Sequence, residues 1–170
     1  ALRNDLFRVV QKAPELALPV HWVLLGAAYP FWLEVAAIVG RLLNLQDQVT
    51  QTQIVARLKE QFGDRQTISR RARYSIRSMV SWGVLEDSEV KGCYEKSKKR
   101  MIDNTELVAL MLEAALRAKP TSKATIRDLL TYPGFFPFEF PQVTGAGVVQ
   151  KCTRIELLRY GWDEEVLQAI

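Results

Sequence analysis

The sequence is poor in the residues from which metal sites and disulfide frameworks are built. Its 170 residues include one histidine, His21, and two cysteines, Cys93 and Cys152, which lie far apart. Structural zinc takes about four nitrogen or sulfur ligands, usually in close pairs, so we expect no bound metal. No secretory signal is visible. We therefore expect a reducing, cytoplasmic location in which both cysteines are free thiols, with a Cys93-Cys152 disulfide as the alternative.

Long apolar segments and catalytic motifs are also missing. The most apolar segment, residues 16–43, is interrupted by prolines, a histidine and a glutamate, and it falls short of the roughly 20 continuous apolar residues that a membrane span requires. Gly145-Ala146-Gly147 is a weak match to a phosphate-binding loop, because it lacks both the later glycine and the helix-start context of a dinucleotide site. With one histidine and no nucleophile motif, we predict no membrane span, no enzymatic activity and no cofactor.

The residues that are present indicate a folded protein with an uneven distribution of charge. Apolar residues make up 48% of the chain and charged residues 25%, which is enough for one core or two small ones. The net charge is +4, but residues 65–100 hold ten Lys/Arg against four Asp/Glu, a net of +6, so the remainder sums to −2. Positive charge collected on one segment suits a polyanion, most often nucleic acid.

Hydrophobic periodicity and capping signals predict four helices in the first half of the chain. One spans residues 2–12, and a second spans about 31–45 after Pro30, which suits a first helical turn. Thr50 and Gln53 have the spacing of a capping box, so a third helix begins at Thr50 and ends near Phe62, where Gly63 can adopt a left-handed conformation. A fourth helix spans about 67–82.

This fourth helix separates apolar from basic residues. A helical wheel groups Ile68, Ala72, Ile76, Met79 and Val80 on one side. On the opposite side it places Arg70, Arg73 and Arg77, flanked by Tyr74 and Ser81. The three arginines repel one another, and the sequence has no acid between Asp64 and Glu86. We therefore expect something outside this helix to compensate the arginine charge.

A charged β-hairpin is predicted after the basic helix. Val84-Leu85 fits a strand, residues 86–91 a loop and Gly92-Cys93-Tyr94 a returning strand. Lys96, Lys98, Lys99 and Arg100 follow on the descending side.

The order of helix 31–45, helix 50–62, basic helix 67–82 and hairpin 84–102 resembles the winged helix-turn-helix superfamily. The resemblance implies double-stranded DNA as the partner, with the third helix in the major groove and the wing on the backbone. It also implies a transcriptional regulator or a DNA-recognition component of a larger system. The implied DNA-binding residues are Ser69, Arg70, Arg71, Arg73, Tyr74 and Arg77 on the helix, and Lys91, Lys96, Lys98, Lys99 and Arg100 on the wing.

The C-terminal region is predicted to be a smaller α+β part. An apolar helix at 105–118 follows Asn104, and Thr121 or Ser122 can cap a short helix that reaches Leu130. Phe135–Pro141 and Thr153–Leu158 are predicted to be extended and to form a small sheet, and Trp162–Leu167 is predicted to be a final helical turn. The apolarity of this region predicts a homodimer or a contact with a protein partner.

These features together predict a division of the chain into three regions and a fold class. We predict an N-terminal helical extension (1–30), a winged helix-turn-helix domain (31–102) and a C-terminal α+β region (103–170) for dimerisation or partner binding, in a mainly α chain with small β elements. Two other interpretations stay open at this point. The arginine face can be a solvated surface, or the winged helix can be a protein-interaction scaffold whose basic face meets an acidic partner.

Overall fold

The structure, a computed structural model, describes residues 1–161 and 164–170. The fold is mixed α+β, 58% helical and 17% strand, so the predicted class of a mainly helical chain with small sheets is confirmed. The chain divides into two compact units. Unit 1 comprises residues 1–30, 101–132 and 138–170, and unit 2 comprises residues 31–100 and 133–137.

This division differs from the predicted one at both ends of the chain. Residues 1–30 are part of unit 1 and are not a separate extension. The physical reason is the burial of apolar side chains, since Leu6, Val9 and Trp22 are buried on the first two helices, α1 (Leu2–Lys12) and α2 (Ala17–Ala28). A short 3-10 turn, Pro14–Leu16, joins these helices.

Unit 2 contains three helices and a three-stranded sheet. The elements in chain order are α3 (Pro30–Leu45), β1 (Gln48–Thr50), α4 (Gln51–Phe62), α5 (Gln66–Ser81), β2 (Leu85–Asp87) and β3 (Cys93–Lys96). The strands form an antiparallel sheet in the order β1-β3-β2. The predicted helices are therefore confirmed with bounds shifted by at most one residue. Of the predicted hairpin 84–102, the paired strands are confirmed, but the hairpin ends at Lys96 and residues 97–102 lie outside it.

Local signals explain where α4 begins and ends. The Thr50 hydroxyl accepts a hydrogen bond from the Gln53 amide (3.1 Å), and the Gln53 side chain accepts one from the Thr50 amide (2.9 Å). This reciprocal pair is the predicted capping box. Gly63 follows with φ 86° and ψ 162°, a region that is essentially restricted to glycine, and it turns the chain toward α5.

The core of unit 2 includes the predicted apolar face of α5 and part of one face of α4, on which Phe62 is 38% exposed. Ile54 and Leu58 of α4 are fully buried, and so are Ala72, Ile76 and Met79 on one side of α5. Val80 is only half-buried, which is the one departure from the helical wheel.

Unit 1 is centred on a helix that is buried on nearly all sides. This helix is α6 (Thr105–Arg117). The strand β4 (Arg100–Met101) precedes it and begins in unit 2, and a 3-10 turn at Pro133–Phe135 also belongs to unit 2. The other elements of unit 1 are, in chain order, β5 (Lys123–Thr125), α7 (Ile126–Leu130), β6 (Phe138–Glu139), α8 (Gly145–Lys151), β7 (Ile155–Tyr160) and β8 (Glu164–Ala169). The Asn104 side chain caps α6, because its oxygen accepts a hydrogen bond from the Leu107 amide (2.9 Å). Of the α6 residues, 107–113, Ala115 and Leu116 are buried within the chain itself. The apolarity of this helix is therefore accounted for without a second subunit, and dimerisation loses that support.

Several C-terminal predictions are wrong. The cap of the short helix is Thr125, which accepts from the Asp128 amide (3.1 Å), because residues 123–125 form a strand that was not predicted. The strand near Thr153–Leu158 exists as β7, but its partner is β8, in a sheet of order β5-β8-β7, whereas β6 pairs with β4. Residues 164–167 are strand and not a helical turn, and Trp162 and Asp163 lie outside the described residues.

Candidate nucleic-acid interface

The basic helix α5 presents its arginines on the face opposite the core. Arg70, Arg71, Arg73, Tyr74 and Arg77 are all exposed. At 100° per residue, Arg70 lies nearly opposite the buried stripe. Measured around the helix from Arg70, Arg73 lies 60° to one side and Arg71 lies 100° to the other. Ser69 is half-buried at the flank. The Arg73 guanidinium lies 5.8 Å from the centre of the Tyr74 ring, a cation–π distance that holds these two side chains together.

The negative charge that was expected to compensate the arginines lies on the hairpin, at Asp87, and it forms an ion pair with Arg77 alone. Arg77 Nη1 donates to both carboxylate oxygens of Asp87, at 2.7 and 2.9 Å. The hydrogen bond and the charge of Asp87 raise the pKa of Arg77 above its usual value. Each side chain keeps about half of its surface exposed, so this ion pair lies at the surface of unit 2.

The other arginines on and before α5 have no such partner. Within the described residues, Arg65, Arg70, Arg71 and Arg73 form no ion pair, whereas Arg41, Arg57 and Lys59 of the same unit are each paired with an acid. The four unpaired arginines lie in the N-terminal half of the helix or just before it. This part of α5 therefore carries a concentrated positive charge that the described residues do not neutralise.

The backbone at the start of α5 adds to this charge. Arg65 occupies the N-cap position without a side-chain cap, and no acid lies in the first turn. Helix N-termini carry a partial positive charge from amides that have no intrahelical acceptor. An anion at this end of the helix therefore meets both amides and guanidinium groups.

The predicted wing cations are split into two groups. Lys91 lies at the hairpin tip, in a surface depression of about 460 Å³ that is also lined by Arg73, Arg77, Asp87 and Glu89. Lys96 pairs in register with Leu85, at the base of the hairpin. Lys96 and Lys99 line a smaller depression of about 150 Å³ together with the end of α3 and Pro137. The row of lysines is therefore at the base and not along the tip.

Arg100 has a different use from the predicted phosphate contact. Its Nη2 donates to the Trp82 carbonyl oxygen at 3.1 Å, and Trp82 is the C-cap of α5. A cation at this position satisfies a carbonyl at the negative end of the helix. Lys98 and Lys99 are exposed next to it.

The acids of the hairpin are the functional residues that sequence reasoning missed. Residues 86–91 carry Glu86, Asp87 and Glu89 against Lys91, a net of −2, and all four are exposed. The distance in sequence hides the link between Asp87 and Arg77, which lie ten positions apart. The alternating charges at 86–91 were a visible signal that the tip is not a basic wing.

Charge differs strongly between the two units. Unit 2 carries thirteen Lys/Arg against eight Asp/Glu, a net of +5, and unit 1 carries ten against eleven, a net of −1. The positive potential of the chain therefore belongs to unit 2, where α5 lies.

Unit 1 contains a buried ionic cluster whose groups are mutually satisfied. Glu113 is fully buried, and its carboxylate accepts hydrogen bonds from Arg154 (2.7 and 2.8 Å), Arg117 (2.8 Å) and the Cys152 thiol (3.3 Å). Arg154 also pairs with Asp5 at 2.8 Å. Burial alone would raise the pKa of Glu113, but the hydrogen bonds together lower it below its usual value. The cluster ties α1, α6 and the start of β7 together.

Other kinds of site find little support in the residues that the structure describes. Those residues contain no group of three or more His, Cys, Asp or Glu side chains that could hold a metal ion. Cys93 and Cys152 are free thiols, as expected. Gly145 does begin a helix, contrary to the sequence interpretation, but its amide is bound by the Glu165 carboxylate at 2.9 Å.

Of the helices that the structure describes, none is by itself long and apolar enough to cross a bilayer.

Comparison of the chain with protein-family models, curated proteins and solved structures finds no match in any of the three.

Proposed function

We propose that unit 2 is a winged helix-turn-helix module that binds double-stranded DNA through the N-terminal half of α5. The single observation that carries the proposal is the exposed set of Arg65, Arg70, Arg71 and Arg73, which form no ion pair with any described residue. In a cell, this module would serve as a transcriptional regulator or as the DNA-recognition component of a larger system.

The order of elements supports the fold part of the proposal. A helix, a short strand, two further helices and a hairpin follow one another, and the short strand β1 joins the hairpin through β3. This arrangement supports α5 from behind through α4 and from one side through β2. A helix held in this way presents one face outward, which is what insertion into a groove requires.

Electrostatics supports the choice of ligand. Exposed like charges three positions apart on a helix destabilise it by a few tenths of a kcal/mol per pair, and the described residues offset only Arg77. DNA phosphates supply the missing negative charge, and the displaced counterions add to the affinity. Arginine can also read guanine through its O6 and N7 atoms, so the same side chains serve affinity or specificity.

The test compares charge-matched variants in duplex binding. Wild type, Arg70→Gln/Arg71→Gln/Arg73→Gln and the control Arg3→Gln/Lys12→Gln/Arg127→Gln are titrated into a fluorescent mixed-sequence duplex at low salt, and anisotropy is measured. Both variants lose three positive charges, but the control residues are exposed positions of unit 1. We expect the α5 variant to bind at least about 150-fold more weakly, since three lost contacts of roughly 1 kcal/mol or more each sum to about 3 kcal/mol. The control should stay within about threefold of wild type.

A second candidate function is a winged-helix scaffold that binds another protein. The observation that favours it is a groove between α3 and α4, in which Leu45 is 84% exposed. The groove is lined by Ile38, Leu42 and Leu45 together with the polar or charged residues Arg41, Arg57, Glu60 and Gln61. Equal and negligible duplex binding by wild type and the α5 variant would favour the scaffold and refute the DNA-binding proposal.

A further inference from the structure

The hairpin of unit 2 has the wrong charge for a phosphate-binding wing. Its tip carries a net of −2, and Asp87 and Glu89 line the same depression as Arg73 and Arg77. A polyanion lying along the whole length of α5 would bring its phosphates to these carboxylates. Like charges brought together in this way weaken binding.

Asp87 also removes one arginine from the set that can release counterions. Arg77 Nη1 donates hydrogen bonds to both carboxylate oxygens of Asp87, at 2.7 and 2.9 Å. The positive charge of Arg77 and the negative charge of Asp87 cancel, so the pair has no net charge. Counterions are released when a cation neutralises a phosphate, so a phosphate gains little from an arginine whose charge is already compensated. Arg70 and Arg77 are seven positions apart, about 10 Å along the helix axis, which is about a Debye length at moderate salt.

We infer that Asp87 limits the extent of the DNA interface, because it neutralises Arg77 and, with Glu86 and Glu89, excludes phosphate from the hairpin tip. Bound DNA is thereby confined to the half of α5 that contains Arg65, Arg70, Arg71 and Arg73. The inference rests on the proposed DNA-binding function and reverses one expectation drawn from the sequence, namely that the tip of the wing touches the backbone.

The experiment measures the slope of log K against log salt for duplex binding between about 50 and 200 mM salt. The decisive variant is Arg77→Gln/Asp87→Asn, which deletes the ion pair without changing the net charge. If the pair makes no contact with DNA, both the affinity and the slope stay at their wild-type values. Arg73→Gln is the comparison, and its slope should be shallower by about 0.9, the contribution of one phosphate.

Asp87→Asn alone tests the restraint on Arg77. Once freed, Arg77 can neutralise one more phosphate, so the slope should become steeper by about 0.9, which corresponds to about a 3.5-fold larger loss of affinity across that fourfold range of salt. Binding at low salt should be tighter than in wild type. Glu86→Gln/Glu89→Gln leaves the ion pair intact and should also bind more tightly, while Glu156→Gln, an exposed acid of β7, is the control and should not.

The outcomes separate this inference from the function on which it rests. Wild-type binding together with weaker binding or a shallower slope in Arg77→Gln/Asp87→Asn would overturn the inference alone, because Arg77 would then contact DNA. Weaker binding by Asp87→Asn would overturn it too, since Asp87 would then orient Arg77 for a contact. Failure of wild type and every variant to bind duplex DNA would overturn both. Binding by Asp87→Asn where wild type binds only weakly supports both.

Discussion

Replacement of Glu113 by glutamine should destabilise unit 1 more than any other single isosteric change. The side chain of Glu113 has no exposed surface, and two arginines and a thiol donate to it. Glutamine keeps the volume but loses the negative charge, and its amide hydrogens would face the guanidinium donors. The change therefore leaves two cations without the charge that compensates them.

The expected cost follows from the exposure of the partners. Removal of one member of a buried ion pair typically costs roughly 3 to 5 kcal/mol. Arg154 and Arg117 are 29% and 45% exposed, and Arg154 keeps its pair with Asp5, so both cations retain some solvation or compensation. We therefore expect the lower end, about 3 kcal/mol, or a fall in Tm of roughly 6 to 12 °C for a chain of this length.

The assay is urea unfolding followed by circular dichroism, with hydrogen exchange of the α6 amides to identify the transition that belongs to unit 1. Glu156→Gln is the control, because an exposed substitution usually changes stability by less than about 0.5 kcal/mol. A loss below about 1 kcal/mol in Glu113→Gln would refute the reasoning.

The pH dependence gives a second test of the same cluster. The pKa of Glu113 is lower in the folded chain than in the unfolded chain, where a glutamate has its ordinary value of about 4.3. The stability from the carboxylate is thus fully present above that value and is lost as the pH falls through the lowered pKa. The difference between wild type and Glu113→Gln should be constant from about pH 6 to 8 and should shrink below about pH 4.3. A difference that stays unchanged well below pH 4.3 would contradict this assignment.

Three further predictions concern single positions. Thr50→Ala should lower the stability of unit 2 by about 1 kcal/mol through loss of the capping box, measured by thermal unfolding, whereas the exposed neighbour change Thr52→Ala should cost less than half as much. Gly40→Ala should cost about 3 kcal/mol, the upper end of overpacking penalties, because a Cβ there would collide with the Pro133 carbonyl oxygen and the Phe136 Cβ; unchanged stability would disprove that close approach. Cys93 should react with a thiol reagent faster than Cys152, which is buried beside Glu113 and whose pKa is raised by that burial, so Cys93→Ser should abolish the fast phase of labelling.

The parts of the fold that the sequence predicts are those that depend on short-range signals. Pro30 marks the start of α3, the Thr50–Gln53 spacing marks the start of α4, and the periodicity of α5 identifies its buried face. These features are decided within one or two helical turns, since caps and helix faces involve residues three or four positions apart. Their bounds were correct to within about a residue.

The C-terminal sheet was missed because its strands are specified by distant partners. Residues 164–169 begin with two glutamates and contain Leu167 and Ala169, which favour helix formation in isolation. Their pairing with β5 and β7 decides the conformation instead, since strand preference depends on neighbours across the sheet. The strand β5, only three residues long, has no periodic signal of its own.

The candidate site shows the same contrast. The arginine face of α5 could be read from the helical wheel, because it depends on one helix. The separation of the wing cations into tip and base, the use of Arg100 to cap α5 and the pairing of Arg77 with Asp87 depend on how the hairpin folds back. No spacing rule in the sequence predicts those contacts.

The salt dependence of duplex binding by the wild-type chain and by Arg70→Gln/Arg71→Gln/Arg73→Gln tests most directly whether the unpaired arginines of α5 hold DNA. If four phosphates are neutralised, the slope of log K against log salt should be about −3.6 for wild type. The variant keeps only Arg65 of the four arginines, so its slope should be about −0.9. The same slope in both proteins, or no binding by either, would contradict the proposed interface.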